Sequence, residues 1–159
     1  MPEVYIGLGS NAEPMVHLAR AVAVLERRFA PLARSAVYRS PPVGGTGEDY
    51  LNMVVGFATD LGVEALRAEL RRLEADEGRD RNAPTRCTLD LDLLIYGRRV
   101  DAARNLPRDD VARRSFVLAP LAEIAPALPH PVTGESIATL KRRLGASDPA
   151  LTRLGPLPG

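Results

Sequence analysis

The amino-acid sequence predicts an α+β fold, an antiparallel sheet with both long helices packed on one face and an extra helical extension at the C-terminal end. Three observations predict it. Four apolar runs and two amphipathic stretches follow in the order strand, helix, strand, strand, helix, strand. Both amphipathic stretches repeat their apolar residues at spacings of three and four. The length, 159 residues, fits one domain with a real core.

The elements follow in turn. Val4 to Gly9 is β-branched and apolar, a buried strand ending in a tight Gly-Ser-Asn turn. Met15, Leu18, Val22, Leu25 and Phe29 then mark a helix, with Asn11 as expected N-cap and Glu13 and Pro14 suiting its first turn. Ala33 to Ser40 reads as a second strand stopped by Pro41 and Pro42, and "PPVGGTGED" as an exposed Pro/Gly-rich loop. Tyr50 to Asp60 is a third strand. Val63, Leu66, Leu70 and Leu73 give a second helix ending near Gly78. "RDRNAPTR" is a polar loop, and Thr88 to Gly97 is the fourth strand. Beyond it, "FVLAPLAEIAP" predicts a short buried helix and Ser136 to Leu144 a last one, with residues 145–159 expected as a frayed tail. This is the split βαβ, ferredoxin-like order, and residues 1–159 read as a single domain.

Composition excludes several function classes. A formal charge of +1 gives no global reason to expect nucleic acid or an anionic membrane as partner. No apolar run reaches membrane-spanning length. The start "MPEVYIGLGSN" has neither a basic nor a long apolar leader segment. The single cysteine, Cys87, precludes an internal disulfide framework and agrees with a reducing cytoplasm. The expected protein is soluble and cytoplasmic.

The fourth strand carries the sharpest chemical signal. Residues two apart on a strand share a face, so Leu89, Leu91, Leu93 and Ile95 are expected on one side and Thr88, Asp90 and Asp92 on the other. Two same-side carboxylates resist joint ionisation unless a cation sits between them. Their hard oxygens suit Mg²⁺, which commonly takes one or two carboxylates together with substrate phosphates. Alone, the pair would read as solvated surface acids. The flanking arginines, Arg79, Arg81 and Arg86 before and Arg108, Arg113 and Arg114 after, turn the reading toward a metal–polyphosphate site.

Other motifs are weaker. "GLGSNA" formally fits the G-x-G-x-x-G/A dinucleotide fingerprint. However, Arg39 and Ser40 stand where an acidic ribose ligand belongs, and the repeated βαβ units are missing. No P-loop motif occurs. Tyr50 and Asn52 share a strand face, an aromatic beside an amide that could recognise a planar heterocycle. Composition alone reads the same segment as an ordinary hairpin with a half-buried tyrosine. His17 and His130 lack ligand spacing and are read as structural. A non-catalytic ferredoxin-like module would explain the element order but not the acid pair, and a nucleotide-dependent oxidoreductase would rest on "GLGSNA" alone.

Taken together, "YIGLGSN", "YRSPPVG", "DYLNMVV", "GRDR", "TLDLDLLIYG" and "RRSFVLAPLAEIAP" resemble the 6-hydroxymethyl-dihydropterin pyrophosphokinase family of folate biosynthesis, in the family's order and over roughly Val4 to Pro131. The resemblance implies the ferredoxin-like fold. It implies Mg²⁺-dependent transfer of pyrophosphate from ATP to the hydroxymethyl group of 6-hydroxymethyl-7,8-dihydropterin, leaving AMP, by a monomer. By the same resemblance, Asp90 and Asp92 hold two Mg²⁺ ions and act with Arg79 and Arg86 in catalysis. Ser40, Pro41, Val43, Tyr50, Asn52 and Phe116 form the pterin pocket. Glu74, Arg79, Arg81, Arg86, Arg108 and Arg114 meet ATP, Glu74 at the ribose. Two positions depart from the family's pattern. In "PTRCTLD", Cys87 takes the usual arginine position and Arg86 lies one residue early, which turns its side chain to the other strand face unless a bulge restores it. Pro107-Arg108 stands where the family commonly has Pro-His.

Overall fold

A computed structural model describes residues 1–145 and 150–158. Its strands are β1 (Glu3–Ser10), β2 (Ala33–Arg34), β3 (Val37–Ser40), β4 (Tyr50–Ala58), β5 (Asp90–Tyr96) and β6 (Thr152–Gly155). They form one sheet in the order β5-β1-β4-β3-β6, with β2 also pairing β4. Every pairing is antiparallel. The helices are α1 (Pro14–Phe29), α2 (Val63–Asp76), α3 (Asp110–Arg113), α4 (Ser115–Ile124) and α5 (Ile137–Leu144). None of the described helices is long and apolar enough to cross a membrane.

Strand alternation divides the core into two layers. Val4, Ile6 and Leu8 of β1 and Leu51, Met53, Val55 and Phe57 of β4 meet Leu18, Val22 and Leu25 of α1 and Leu66, Leu70 and Leu73 of α2. Phe29 stacks on Phe57 with ring centroids 4.3 Å apart. The opposite face carries Tyr5, Val54, Leu94 and Ile95, covered by Val111, Val117, Leu118 and Leu121 of α3 and α4 and by Ile137 and Leu140 of α5. Both long helices therefore share a face, as expected, and the later helices cover the other.

One strand face differs from the sequence pattern. Leu91 and Leu93 face α1 and α2, but Ile95 joins Leu94 on the opposite side. The register shifts where Tyr5 pairs Ile95 and Ile6 pairs Leu93, leaving Leu94 as the extra residue of a β-bulge. A bulge flips the alternation downstream of it, while Asp90 and Asp92 upstream keep theirs.

Three further expectations are corrected. The predicted second strand is split into β2 and β3, because Ser35 between them accepts the Val54 N–H with its side chain at 2.9 Å and so interrupts the backbone ladder. Asn11 does not cap α1. The cap position is Glu13, in a left-handed conformation at φ 44° and without a side-chain cap bond. The tail is not simply frayed, since Thr152–Gly155 forms β6 and pairs with β3. The rest of that expectation touches residues 146–149 and 159, which lie outside the described residues.

Glu123 fastens this C-terminal strand. It accepts from the Tyr38 hydroxyl at 2.8 Å, the Ala36 N–H at 3.1 Å and Arg153 of β6 at 3.2 Å. Burial alone would raise its pKa, but the hydrogen bonds from Tyr38 and Ala36 and the Arg153 charge outweigh it and hold the carboxyl below its ordinary value. A depressed carboxylate stabilises the fold above its unfolded pKa and loses that contribution as pH falls through the folded one. Glu123→Ala is expected to cost about 1–2 kcal/mol at neutral pH, roughly 3–6 °C in Tm. Thermal melts of the two proteins should converge in acid.

Candidate active site

Among the described residues β5 lies at the edge of the sheet and pairs with β1 alone. Its Asp90 and Asp92 stand opposite Gly9 and Gly7 of β1, and β4 places Asn52 on the other side of Gly9. The two glycines thus leave an open floor between the acids and Asn52. A Cβ on Gly9 would lie 3.1 Å from the Asn52 side-chain oxygen. The "GLG" motif is explained by this floor: the strand residues facing the cleft have no side chain to fill it.

Over this floor lies a chamber of about 300 Å³. Ser40, Pro41 and Val43 line it from the end of β3 and the loop beyond, Tyr50 and Asn52 from β4, and Phe116 from α4. Asn52 donates to Ser40 Oγ at 2.8 Å, which fixes the orientation of the amide. Tyr50 and Cys87 both line this chamber. Burial, followed by the neighbouring Cys87 and Asp90, pushes Tyr50 up to about 12. Burial likewise pushes the Cys87 thiol up. Both groups are therefore neutral walls at physiological pH.

A second hollow of about 260 Å³ shares Asp90, Asp92 and Arg108 with the first. Its other walls include Arg67, Arg71 and Glu74 of α2 and Arg81. The acid pair is thus shared between a chamber whose other walls are mainly uncharged and an arginine-lined one. Burial, followed by repulsion from Asp90, raises the pKa of Asp92. Two half-buried acids facing each other suit a hard divalent cation, which would relieve the repulsion. Among the described residues no group of three or more His, Cys, Asp or Glu side chains is arranged to hold a metal. Any ion here would draw its remaining ligands from water or substrate oxygens.

Glu74 is buried and acts as a hub. It accepts the Leu91 N–H at 2.8 Å, pairs with Arg79 at 3.5 Å and is hydrogen-bonded to Arg81. Burial is the main reason its pKa is raised. Arg79 also donates to the Leu89 carbonyl at 2.8 Å and to Asp90 at 3.3 Å. Arg108 donates its backbone N–H to the Leu94 carbonyl at 2.8 Å. Its guanidinium lies 3.6 Å from Asp92 and 3.1 Å from Asp110. Side chains and loop backbone therefore occupy polar groups along the outer edge of β5.

Most of the sequence-derived residues converge. Ser40, Pro41, Val43, Tyr50, Asn52, Phe116, Arg79, Asp90, Asp92 and Arg108 surround the first chamber. Glu74 and Arg81 join at the second. Arg114 stands at the rim, its guanidinium 4.0 Å from Asp110, which itself lines the first chamber. Arg86 is not brought in. It is exposed beside Asn11, Glu48 and Thr85 in a separate hollow, while Cys87 faces the chamber. The possibility that a bulge returns Arg86 to the acids is corrected, and the physical reason is Asn11. Its side chain accepts the Cys87 N–H at 2.6 Å and donates to the Thr85 carbonyl at 2.7 Å, and its backbone N–H donates to the Cys87 carbonyl at 2.9 Å. Those three bonds fix the peptide so that Cys87 points inward and Arg86 outward. Arg86→Ala and Cys87→Ser are accordingly each expected to keep activity within about threefold, as neither removes a charge from the cleft. Steady-state kinetics checks it.

Sequence reasoning missed Arg67, Arg71, Asp110 and the floor role of Gly7 and Gly9. The arginines had a legible signal, since Arg67, Arg71 and Glu74 recur at helical spacing on one side of α2. His17 and His130 are structural. His17 pairs with Glu77 at 2.7 Å, joining α1 to the segment just after α2. His130 accepts backbone N–H groups of its own turn.

The 7,8-dihydro-6-hydroxymethylpterin-pyrophosphokinase family model matches residues 5–126. The 2-amino-4-hydroxy-6-hydroxymethyldihydropteridine pyrophosphokinase of Methylorubrum extorquens is 40% identical, covering 94% of this chain and 96% of its own length. The Haemophilus influenzae protein of the same name is 37% identical over 82% of this chain and 86% of its own. Among solved structures, wild-type HPPK-DHPS of Plasmodium falciparum aligns with a TM-score of 0.74 at 10% identity, over 96% of this chain. That likeness is one of fold, and the chain spans 48% of that longer protein.

Proposed function

The chain belongs to the 7,8-dihydro-6-hydroxymethylpterin-pyrophosphokinase family, and from that membership we propose that it transfers the pyrophosphoryl group of ATP to the hydroxymethyl group of 6-hydroxymethyl-7,8-dihydropterin, releasing AMP, with Mg²⁺ and in folate biosynthesis. The observation that carries this reading is the acid pair in the wall shared by the two chambers. A bisubstrate transfer needs the acceptor and the polyphosphate to meet at one charged partition. The strand order β5-β1-β4-β3 with α1 and α2 on one face supports reading the fold as ferredoxin-like, with α3 to α5 as its helical extension. Residues 1–159 act in this reading as one catalytic domain, a cytoplasmic monomer whose partners are small molecules. The support is that both chambers are built within one chain.

The pterin lies in the first chamber. Tyr50 and Phe116 supply aromatic surface for its ring, Asn52 offers amide hydrogen bonds to its edge, and Ser40, Pro41 and Val43 close the entrance. ATP lies in the second, its phosphates toward Arg79, Arg81 and Arg108, with Arg114 at the rim, and its ribose near Glu74. Asp90 and Asp92 would hold two Mg²⁺ ions, which when bound neutralise phosphate charge and lower the pKa of the attacking hydroxyl. The pterin hydroxyl oxygen bonds to the β-phosphorus and the bond to the α,β-bridging oxygen breaks. AMP departs with that electron pair, and the hydroxyl proton is released. Arg79, fixed from three sides at the partition, is positioned to stabilise charge on the transferred group, so catalysis rests on positioning and electrostatics.

Chromatography of the protein incubated with ATP, Mg²⁺ and the pterin tests the reaction class. AMP and diphosphorylated pterin in equal amounts are expected; stoichiometric ADP with a monophosphorylated pterin would refute the assignment. A narrower check concerns the floor. Gly9→Ala projects a methyl group against Asn52 and should weaken pterin binding by about tenfold, the cost of a modest clash, while nucleotide affinity holds. Calorimetric titration of each ligand separates the two effects.

A further inference from the structure

Arg108 differs from the other cationic groups of the cleft. Arg79 is fixed in three places, by the Leu89 carbonyl, Asp90 and Glu74, and Arg81 is tied to Glu74. The Arg108 guanidinium also sits between two carboxylates, 3.1 Å from Asp110 and 3.6 Å from Asp92, but unlike Arg79 it is not held by a backbone carbonyl among the described residues, and its contact with Asp92 is the looser one. It borders both chambers and also a third hollow beside His130 and Val132. Its backbone is anchored to β5 at the Leu94 carbonyl, so the side chain can swing while its root stays in place.

We propose that Arg108 is a charge lock on the acid pair: in the nucleotide-free protein it neutralises Asp92 and disfavours a free divalent cation there, and it releases Asp92 when polyphosphate offers the guanidinium a better partner. The inference rests on the reading of Asp90 and Asp92 as cation ligands. A cation approaching Asp92 meets a resident positive charge within a few ångströms, and that repulsion is substantial in a half-buried cleft. Phosphate oxygens accept a guanidinium bidentately and carry more charge than the single Asp92 carboxylate. Exchange of Arg108 from Asp92 to phosphate therefore frees a metal ligand at the moment the metal's other ligands arrive. Asp110 keeps the side chain near the partition in the meantime. The consequence is that metal and nucleotide enter as one complex, and metal alone binds poorly.

The test is a titration of the nucleotide-free protein with Mn²⁺, followed by electron paramagnetic resonance, for wild type, Arg108→Ala, Arg108→Gln, Arg108→Lys and Asp92→Asn. Removing the charge should tighten Mn²⁺ binding by about three- to tenfold, the scale of one partly screened charge pair. Arg108→Lys keeps the charge and should stay near wild type. The same neutral variants should bind a non-hydrolysable ATP analogue more weakly, an opposite sign that a merely structural role would not produce. Arg108→Gln carries the reading if the alanine variant fails to fold. Unchanged or weaker Mn²⁺ binding in the neutral variants, while Asp92→Asn abolishes it, overturns the charge lock. Mn²⁺ binding that Asp92→Asn leaves intact overturns the metal reading itself, a distinguishable failure.

Discussion

Asparagine in place of Asp90 or Asp92 is expected to lower turnover by about a thousand-fold or more, on the scale of several kcal/mol of charge stabilisation. The two acids sit on one face of an edge strand, over a glycine floor, in the wall between the chambers. An amide has the same shape but is a poor ligand for a hard cation. The fold should survive, because neither side chain belongs to the apolar core and because each substitution removes one member of a repelling pair. Circular dichroism and pterin binding should be close to wild type while turnover vanishes. Near-normal turnover in either variant would sink the assignment.

Glu74→Ala should damage both stability and activity. The carboxylate is 3% exposed and satisfies the Leu91 N–H, Arg79 and Arg81. Removing it leaves a buried donor and a partly buried guanidinium without their acceptor, which costs about 2–4 kcal/mol. Arg79 would lose one of three anchors, so turnover should fall along with Tm. Glu74→Gln retains an oxygen for Leu91 and should recover part of the stability but not the ion pairs. Denaturant unfolding of the two variants distinguishes these contributions, and equal stability of Glu74→Ala and wild type would remove Glu74 from the role given to it here.

What was legible in the sequence was whatever a local pattern dictates. The spacing of Asp90 and Asp92 dictates their common face, because alternation upstream of the bulge is a property of the strand alone. Ile95 was misassigned because the bulge at Leu94 arises from pairing with β1, a partner distant in sequence. Asn11 illustrates the same limit: its residue type and place suited a helix cap, yet its hydrogen bonds go to Thr85 and Cys87, more than seventy residues away. The exit of Arg86 from the cleft follows from that long-range clamp and could not be read locally. The tail looked featureless because β6 is short and polar, and pairing with β3 rather than intrinsic preference makes it a strand. Strand alternation pairs Tyr50 with Asn52, but the assignment of Ser40, Pro41, Val43 and Phe116 to a pterin pocket is implied by family resemblance alone.

The outer edge of β5 has a consequence beyond chemistry. An apolar edge strand with free N–H and C=O groups is a template on which other chains can add strands and aggregate. Here the Leu89 carbonyl is occupied by Arg79, the Leu91 N–H by Glu74 and the Leu94 carbonyl by the Arg108 backbone. Residues around the two chambers therefore also guard the sheet against self-association. A Glu74 variant exposes part of that template, so its losses should grow with protein concentration, as soluble oligomers and then precipitate, even where dilute samples still fold.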